Sequence, residues 1–434
     1  MFPSLLSAWF ALSPPGDATE IDRPEGSIAP VEIHANEPPP GPADPLAIPA
    51  APNEGGESAP SEADPEPQVR REMDGEPEDD KPDANKKKEK KVKVKVQARV
   101  VAGALLTHEE PARDSSGAPV GLPVRKGSLQ LRQARVGIDA RYRDILRVRV
   151  SIDVADLLDS PKPGKVIRNA WANVAIRPAF QIKVGNFKRP YSRLELRGFS
   201  SIPFIGRGLF NGFAIEDLGW GDRAVGVSLW GDIEPGKPGL DRFRWQVSAT
   251  NNALSGAPHG VDAHARVVYD PMPWLSLGIN GAFKNIQDPL ADEPTCRSTW
   301  TRDASCRRNV LAAGGDLAVK IKGLYASVET NLAQDWLYAG SSPWALGVLG
   351  YADYEFEVGK RTSLQPVLFG EFIDTNLTYG QSEAVRAGAA FNILWTKHLR
   401  VVPQVEFVNP LSPITAFNRF VTRQVYGVWI SVQL

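Results

Sequence analysis

From Val92 onward the chain alternates apolar and polar residues with a period of two, and this alternation limits its folds more than any other feature. Such a pattern belongs to β-strands with one face in an apolar medium and the other in a polar one. The segment Asp144–Asp156, DILRVRVSIDVAD, sets Leu146, Val148, Val150, Ile152 and Val154 on one face. Arg147, Arg149, Ser151 and Asp153 fall on the other. RFRWQVSAT puts Phe243, Trp245, Val247 and Ala249 against Arg242, Arg244, Gln246 and Ser248. AVRAGAAFNI puts Val385, Ala387, Ala389, Phe391 and Ile393 against Arg386, Gly388 and Asn392. Helical periodicity is absent over any long window, and no run of 18 or more apolar residues provides a membrane-crossing helix.

A soluble sandwich alternates too, so the decision rests on strand number and connection length. The pattern predicts about 16 strands, starting near Val92, Ser128, Asp144, Val166, Ala179, Arg223, Arg242, Val261, Trp274, Asn309, Gly323, Ala345, Ser363, Ala384, Leu399 and Val421. Connections after even strands are mostly tight, as at Arg143-Asp144 and Lys322-Gly323. Those after odd strands are longer: Leu106 to Gly127, Phe187 to Asp222, Asn285 to Arg308, Asn409 to Phe420. Short turns on one rim, long loops on the other and an even strand number are the plan of a transmembrane β-barrel. A barrel in lipid must also close, because an open edge would strand backbone donors and acceptors. The end of the chain fits, with Tyr426, Val428, Ile430, Val432 and Leu434 alternating on one face.

The first part of the chain has another character. Residues 1–85 hold 4 Lys/Arg against 19 Asp/Glu, a net of −15, which leaves +14 on residues 86–434. An acidic, proline-rich block cannot bury enough apolar surface to offset its ordering entropy, so residues 19–91 are expected to be disordered. They end in the Lys run KKKEKKVKVKV, Lys86 to Val96, whose second half already alternates. Phe2 to Leu12 reads as the apolar part of an export signal spanning residues 1–18, although no Lys or Arg precedes it. The two cysteines, Cys296 and Cys306, lie in a polar stretch without a nearby His, which argues against zinc. A disulfide closing an exposed loop is the expectation, with two unpaired surface thiols as the alternative.

The pieces LRQARVGIDARY (Leu131 to Tyr142), RVRVSIDVAD (Arg147 to Asp156), IKVGNFKRPY (Ile182 to Tyr191), RGFSSIPFIGRGLFNGF (Arg197 to Phe213) and DRAVGVSLWGD (Asp222 to Asp232) resemble the phosphate-selective (polyphosphate) porin family in order and spacing. The resemblance implies an all-β transmembrane antiparallel barrel over residues 92–434, usually a homotrimer, in the Gram-negative outer membrane. Its third long loop folds inward to narrow the pore, and Phe187 to Asp222 is the third long loop by count. The N-terminal segment then belongs in the periplasm, and lipid and lipopolysaccharide surround the barrel.

Selectivity in a pore follows its width and the sign of its lining charge. The inward loop carries Lys188, Arg189, Arg193, Arg197 and Arg207 against one acid, Glu195. Strand positions read as luminal add Arg147, Arg149, Lys183, Arg242, Arg244, Arg266, Arg386, Arg400 and Arg423, opposed by Asp153, Asp316, Glu329, Glu371 and Glu406. Each strand arginine serves equally as a wall-to-wall salt bridge; the collective bias predicts passage of small anions, phosphate or polyphosphate among them. A general diffusion pore is the alternative. An enzyme is not expected: His34, His108, His259, His264 and His398 are scattered, with no Gly-x-Ser-x-Gly elbow near them. No cofactor loop or nucleic-acid motif is present. The acidic segment suggests either a periplasmic tether or a polyanion folding back against the basic lumen.

Overall fold

The computed structural model describes residues 92–113, 118–155, 166–198, 201–235, 241–251, 259–287, 307–336, 342–378, 382–396, 398–412 and 420–434. The leader, the acidic segment 19–91 and both Cys296 and Cys306 lie outside the described residues. The strands are β1 (Val92–Glu109), β2 (Val124–Tyr142), β3 (Leu146–Asp153), β4 (Ile167–Arg177), β5 (Phe180–Lys188), β6 (Arg223–Ile233), β7 (Arg242–Asn251) and β8 (His259–Met272). They continue with β9 (Leu275–Gln287), β10 (Arg307–Ile321), β11 (Leu324–Gln334), β12 (Trp344–Tyr354, resumed over Phe356–Gly359), β13 (Thr362–Asp374), β14 (Glu383–Trp395), β15 (Leu399–Pro410) and β16 (Arg423–Gln433).

Each strand pairs antiparallel with its neighbours in sequence, and β1 pairs with both β2 and β16. The sheet therefore closes on itself as a 16-strand barrel, which leaves no edge to be satisfied in lipid. Register at the seam runs from Arg99 opposite Gln433 to Glu109 opposite Arg423. The tight-turn rim uses short reversals. At Lys322-Gly323 both residues have positive φ, 42° and 89°, the mirror-image turn that matches strand twist. Longer connections gather on the opposite rim, the third being residues 189–222.

Alternation sorts the side chains as a membrane barrel requires. Outward, Val150 is 47% exposed and Ile279 66%, whereas the luminal Asp153 and Arg149 are buried. Two irregularities break the rule to one end. β1–β2 shifts register between Val101 and Ala102, and β3–β4 shifts between Ser151 and Ile152. Each shift leaves one extra residue on the partner strand, Arg132 and Arg168, and a bulge of this kind re-aims a side chain. Arg132 lies 4.8 Å over the luminal Trp429 ring, and Arg168 Nε is 3.9 Å from Asp153.

Candidate pore constriction

The loop of residues 189–222 enters the barrel and lies against the wall formed by β8–β15. Small luminal residues make room for it: Ala282, Ala312, Ala333, Ala345 and Ala384 stand where its large side chains Phe210, Phe213, Ile215, Leu218 and Trp220 pack. At Gly347 a Cβ would collide with the Phe210 ring. Further along, Ile202, Phe204 and Ile205 settle among Leu349, Tyr351, Val367, Phe369 and Val402, with Phe204 stacked on Phe369 at 4.6 Å. Between the loop and β11–β13 remains a cavity of about 20 Å³ touching Glu329 and Glu371, room for about one water. The seat is closely filled.

Polar contacts pin the same surface. A single turn of helix, Arg193–Leu196, is capped by Ser192, whose side chain accepts from Glu195 N at 3.1 Å. Leu194 N donates to Glu329 at 2.9 Å, and Leu209 N and Phe210 N donate to the two oxygens of Glu371 at 2.7 and 2.8 Å. The carboxylate of Glu371 thus meets the start of the short wide turn Asn211–Asp217. Charge-assisted bonds of this kind are about twice as strong as neutral ones.

Four of the five loop cations find a carboxylate. Lys188 Nζ is 3.0 Å from Glu195 Oε1, and Arg207 pairs with Glu195 Oε2. Arg189 reaches Asp262 on β8 at 2.9 Å and the carbonyl of Gly221. Arg193 reaches Asp316 on β10 at 2.6 Å, where Arg266 also binds at 2.7 Å. Arg197 instead lies 4.6 Å over the Tyr325 ring and donates to the Tyr351 hydroxyl. Burial pushes the Glu195 carboxyl up, but Arg207 and Lys188 outweigh it and hold the group below the usual carboxylate range. Burial likewise lowers the Arg189 guanidinium from its ordinary value against the pull of Asp262.

The strand positions read as luminal from sequence all point inward. Arg147 Nε is 3.0 Å from Asp139 Oδ2, Arg149 donates to Gln97 at 3.1 Å, and Arg386 bridges Glu371 (3.5 Å) and Glu406 (2.6 Å). Arg400 donates to Asn392 at 2.8 Å, and Arg423 is 3.6 Å from Glu406. Arg242 and Arg244, near the tight-turn rim, pair with Asp232 and Asp270, each at 2.9 Å. Lys183 sits among aromatic rings, 4.9 Å from Trp171, 5.7 Å from Trp230 and 5.9 Å from Phe187.

Luminal charge is therefore divided between two walls. The loop and the wall beneath it, β8–β13, together supply Glu195, Asp262, Asp316, Glu329 and Glu371; Lys188 and Arg207 pair with Glu195, and Arg189 and Arg193 share Asp262 and Asp316 with the wall's own Lys284 and Arg266. The facing wall, β16 and β1–β6, carries Arg99, Arg132, Arg135, Arg147, Arg149, Arg168, Lys183 and Arg223. Between the rims its carboxylates are Asp139 and Asp153. Sequence reading passed over Arg99 and Arg135, although plain alternation from Val100 and Val136 marks them as luminal. Arg132 and Arg168 carry no such mark, because only the bulges turn them inward.

A family model described as phosphate-selective porin O and P matches residues 116–338. No curated protein matches the chain. Among solved structures, the in-vitro folded trimer form of OmpT from Vibrio cholerae is similar, with 12% identity and a TM-score of 0.51 over 79% of this chain and 99% of that one. OprB of Pseudomonas putida at high pH shares 9% identity, a TM-score of 0.51, and coverage of 79% and 94%. Salmonella typhi OmpF with daunomycin shares 11% identity, a TM-score of 0.51, and coverage of 79% and 97%. At such identities the likeness is one of fold.

Proposed function

The chain belongs to the family of phosphate-selective porins O and P, and from that premise we propose that this outer-membrane porin passes small anions along the basic wall facing its inward loop. The division of luminal charge carries this reading. Glu195 in the loop and Asp262 and Asp316 beneath it pair with four of the five loop cations, whereas between the rims β1–β6 carry eight luminal cations against Asp139 and Asp153. Low-dielectric walls of one sign focus the field and raise the local concentration of anions. Arginine suits phosphate because its planar fork meets two oxygens at once and stays charged. Lys183, held by ring faces, adds a cation at the same wall.

The pore works by passive diffusion, without an enzymatic step. Phosphate is the permeant that the family description names, and polyphosphate presents the same oxygens to the wall; lipopolysaccharide and lipid surround the barrel. The trimer named for the Vibrio cholerae neighbour supports a homotrimer here as well. Planar-bilayer recording across a KCl gradient tests the selectivity. A reversal potential of the anion sign supports it, and one of the cation sign refutes it. Adding phosphate to the chloride current then separates a binding pore, whose current saturates and blocks, from a general diffusion pore, whose current does neither.

A further inference from the structure

The register of the barrel sets cations of β1–β5 side by side at the tight-turn mouth. Lys93 on β1 lies opposite Arg141 on β2, and Arg141 opposite Arg147 on β3. Arg147 lies opposite Asn173 on β4, and Asn173 opposite Lys183 on β5. One luminal row thus carries four cations and an amide across five adjacent strands. The next row inward places Lys95 opposite Asp139, and Asp139 opposite Arg149. Asp139 is shared, 3.0 Å from Arg147 Nε and 3.4 Å from Arg141 Nε. Like charges directly opposite on neighbouring strands destabilise a sheet, so this row calls for more negative charge than one carboxylate supplies. Lys93, Lys95 and Arg141 are exposed, which leaves the row accessible from the tight-turn side.

β1 starts at that same mouth, and the chain that precedes it is acidic. Glu57 to Asp83 hold 11 carboxylates against Arg70, Arg71 and Lys81, a net of −8. Lys86 to Lys91 return +4, so residues 57–91 keep a net of −4. Fully extended, the chain from Asp83 to Val92 reaches about 30 Å, and Glu57 to Asp83 about 90 Å. The luminal row spans roughly 20 Å, from the spacing of about 4.8 Å between strands. The segment is therefore long enough to double back from Val92 and follow the row across all five strands. We propose that Glu57 to Asp83 is an internal polyanion that lies on this row of cations and competes with permeant anions for it. The proposal rests on the anion-passing reading given above and adds a competitor built into the chain. Tethering holds the segment at an effective concentration on the order of millimolar, so individually weak ion pairs suffice to occupy the mouth for part of the time. Exposed pairs are weak and screened by salt, so the block is partial and salt relieves it.

The test compares full-length wild type with a full-length variant in which Glu72, Asp74, Glu76, Glu78, Asp79, Asp80 and Asp83 are replaced by their amides. All seven precede the barrel strands, and heat-modifiable mobility on gels reports a folded barrel in both proteins. At 0.1 M KCl, where the Debye length is about 10 Å, the variant should conduct about threefold more than wild type; at 1 M, where it is about 3 Å, the two should agree. A peptide of residues 57–83 added on the tight-turn side of the variant should restore the wild-type conductance. Disulfide formation then locates the segment, with Cys296 and Cys306 replaced by Ser. Asp79→Cys combined with Lys93→Cys should close within one chain under mild oxidation, whereas Asp79→Cys with Val94→Cys, on the outward face of the same strand, should not. Equal conductance of the two proteins at 0.1 M, equal disulfide yields at 93 and 94, or a chain–chain adduct overturns the proposal and leaves the anion-passing reading standing. Reversal potentials of the cation sign in both proteins, or silent membranes with both inserted, overturn that reading and the proposal with it.

Discussion

Replacing Glu195 by Gln isolates the ion cluster that closes the base of the inward loop. Glu195 is buried between Lys188 Nζ, at 3.0 Å, and Arg207, and its substitution leaves two buried cations facing each other without their shared anion. Removing one partner of a buried pair costs about 3–5 kcal/mol. At the lower end of that range, about 3 kcal/mol corresponds to about a hundredfold shift in an equilibrium. The other anchors, Asp262, Asp316 and Glu371, remain, so the loop stays in the barrel but opens locally more often. The assay is the rate of thiol modification at Ile202→Cys, with Cys296 and Cys306 replaced by Ser; Ile202 is fully buried in the loop seat. Glu195→Gln should raise that rate about a hundredfold and increase open-channel noise. Equal rates and equal noise in the two proteins would refute the claim that this cluster holds the loop.

Acid should act late on the same cluster. The Glu195 carboxyl is held below the unfolded carboxylate value of about 4.3, so its contribution is complete above that value and is lost as pH falls through the lower folded one. Thiol modification at Ile202→Cys, taken relative to an exposed cysteine so that the thiolate's own pH dependence cancels, should therefore stay flat from pH 7 to 5 and rise only below about 4. Glu371→Gln should weaken the bonds from Leu209 N and Phe210 N and cost the seat about 1–3 kcal/mol, seen as faster amide exchange at those two positions. Arg149→Ala should move the reversal potential toward zero more than Arg189→Ala does, since Arg189 is offset by Asp262 whereas Arg149 donates to the neutral Gln97 side chain. Val328→Arg, on the outward face, should cost barrel stability about 2–4 kcal/mol in urea unfolding from lipid vesicles.

Strand count and placement were legible because lipid imposes a strict rule on alternate residues. Of the sixteen expected starts, β2 strays furthest, beginning at Val124 and not Ser128, since this strand projects past the barrel where alternation is no longer enforced. The break at Glu355 in β12 left no sequence mark either. The inward loop was legible as a long third connection, and the luminal acids Asp316, Glu329, Glu371 and Glu406 were found by face alone. What could not be read was which charges meet. Arg193 and Asp316 are 123 residues apart, and their pairing depends on the path of the loop across the barrel. The alanines at 282, 312, 333, 345 and 384, luminal where polar residues would otherwise stand, were the available clue to that path. Because four of the loop's five cations pair with carboxylates, the proposed anion preference is assigned to the facing wall, where Arg132 and Arg168 reach the lumen through bulges.

The central claim is that this barrel is a channel whose net luminal charge favours anions. Reversal-potential measurement on the purified full-length protein in a planar bilayer, under a tenfold KCl gradient, tests it most directly. The account predicts a potential of the anion-selective sign that shrinks as salt rises and the wall charges are screened. A potential of the cation-selective sign, or a membrane that stays silent with folded protein inserted, would contradict it.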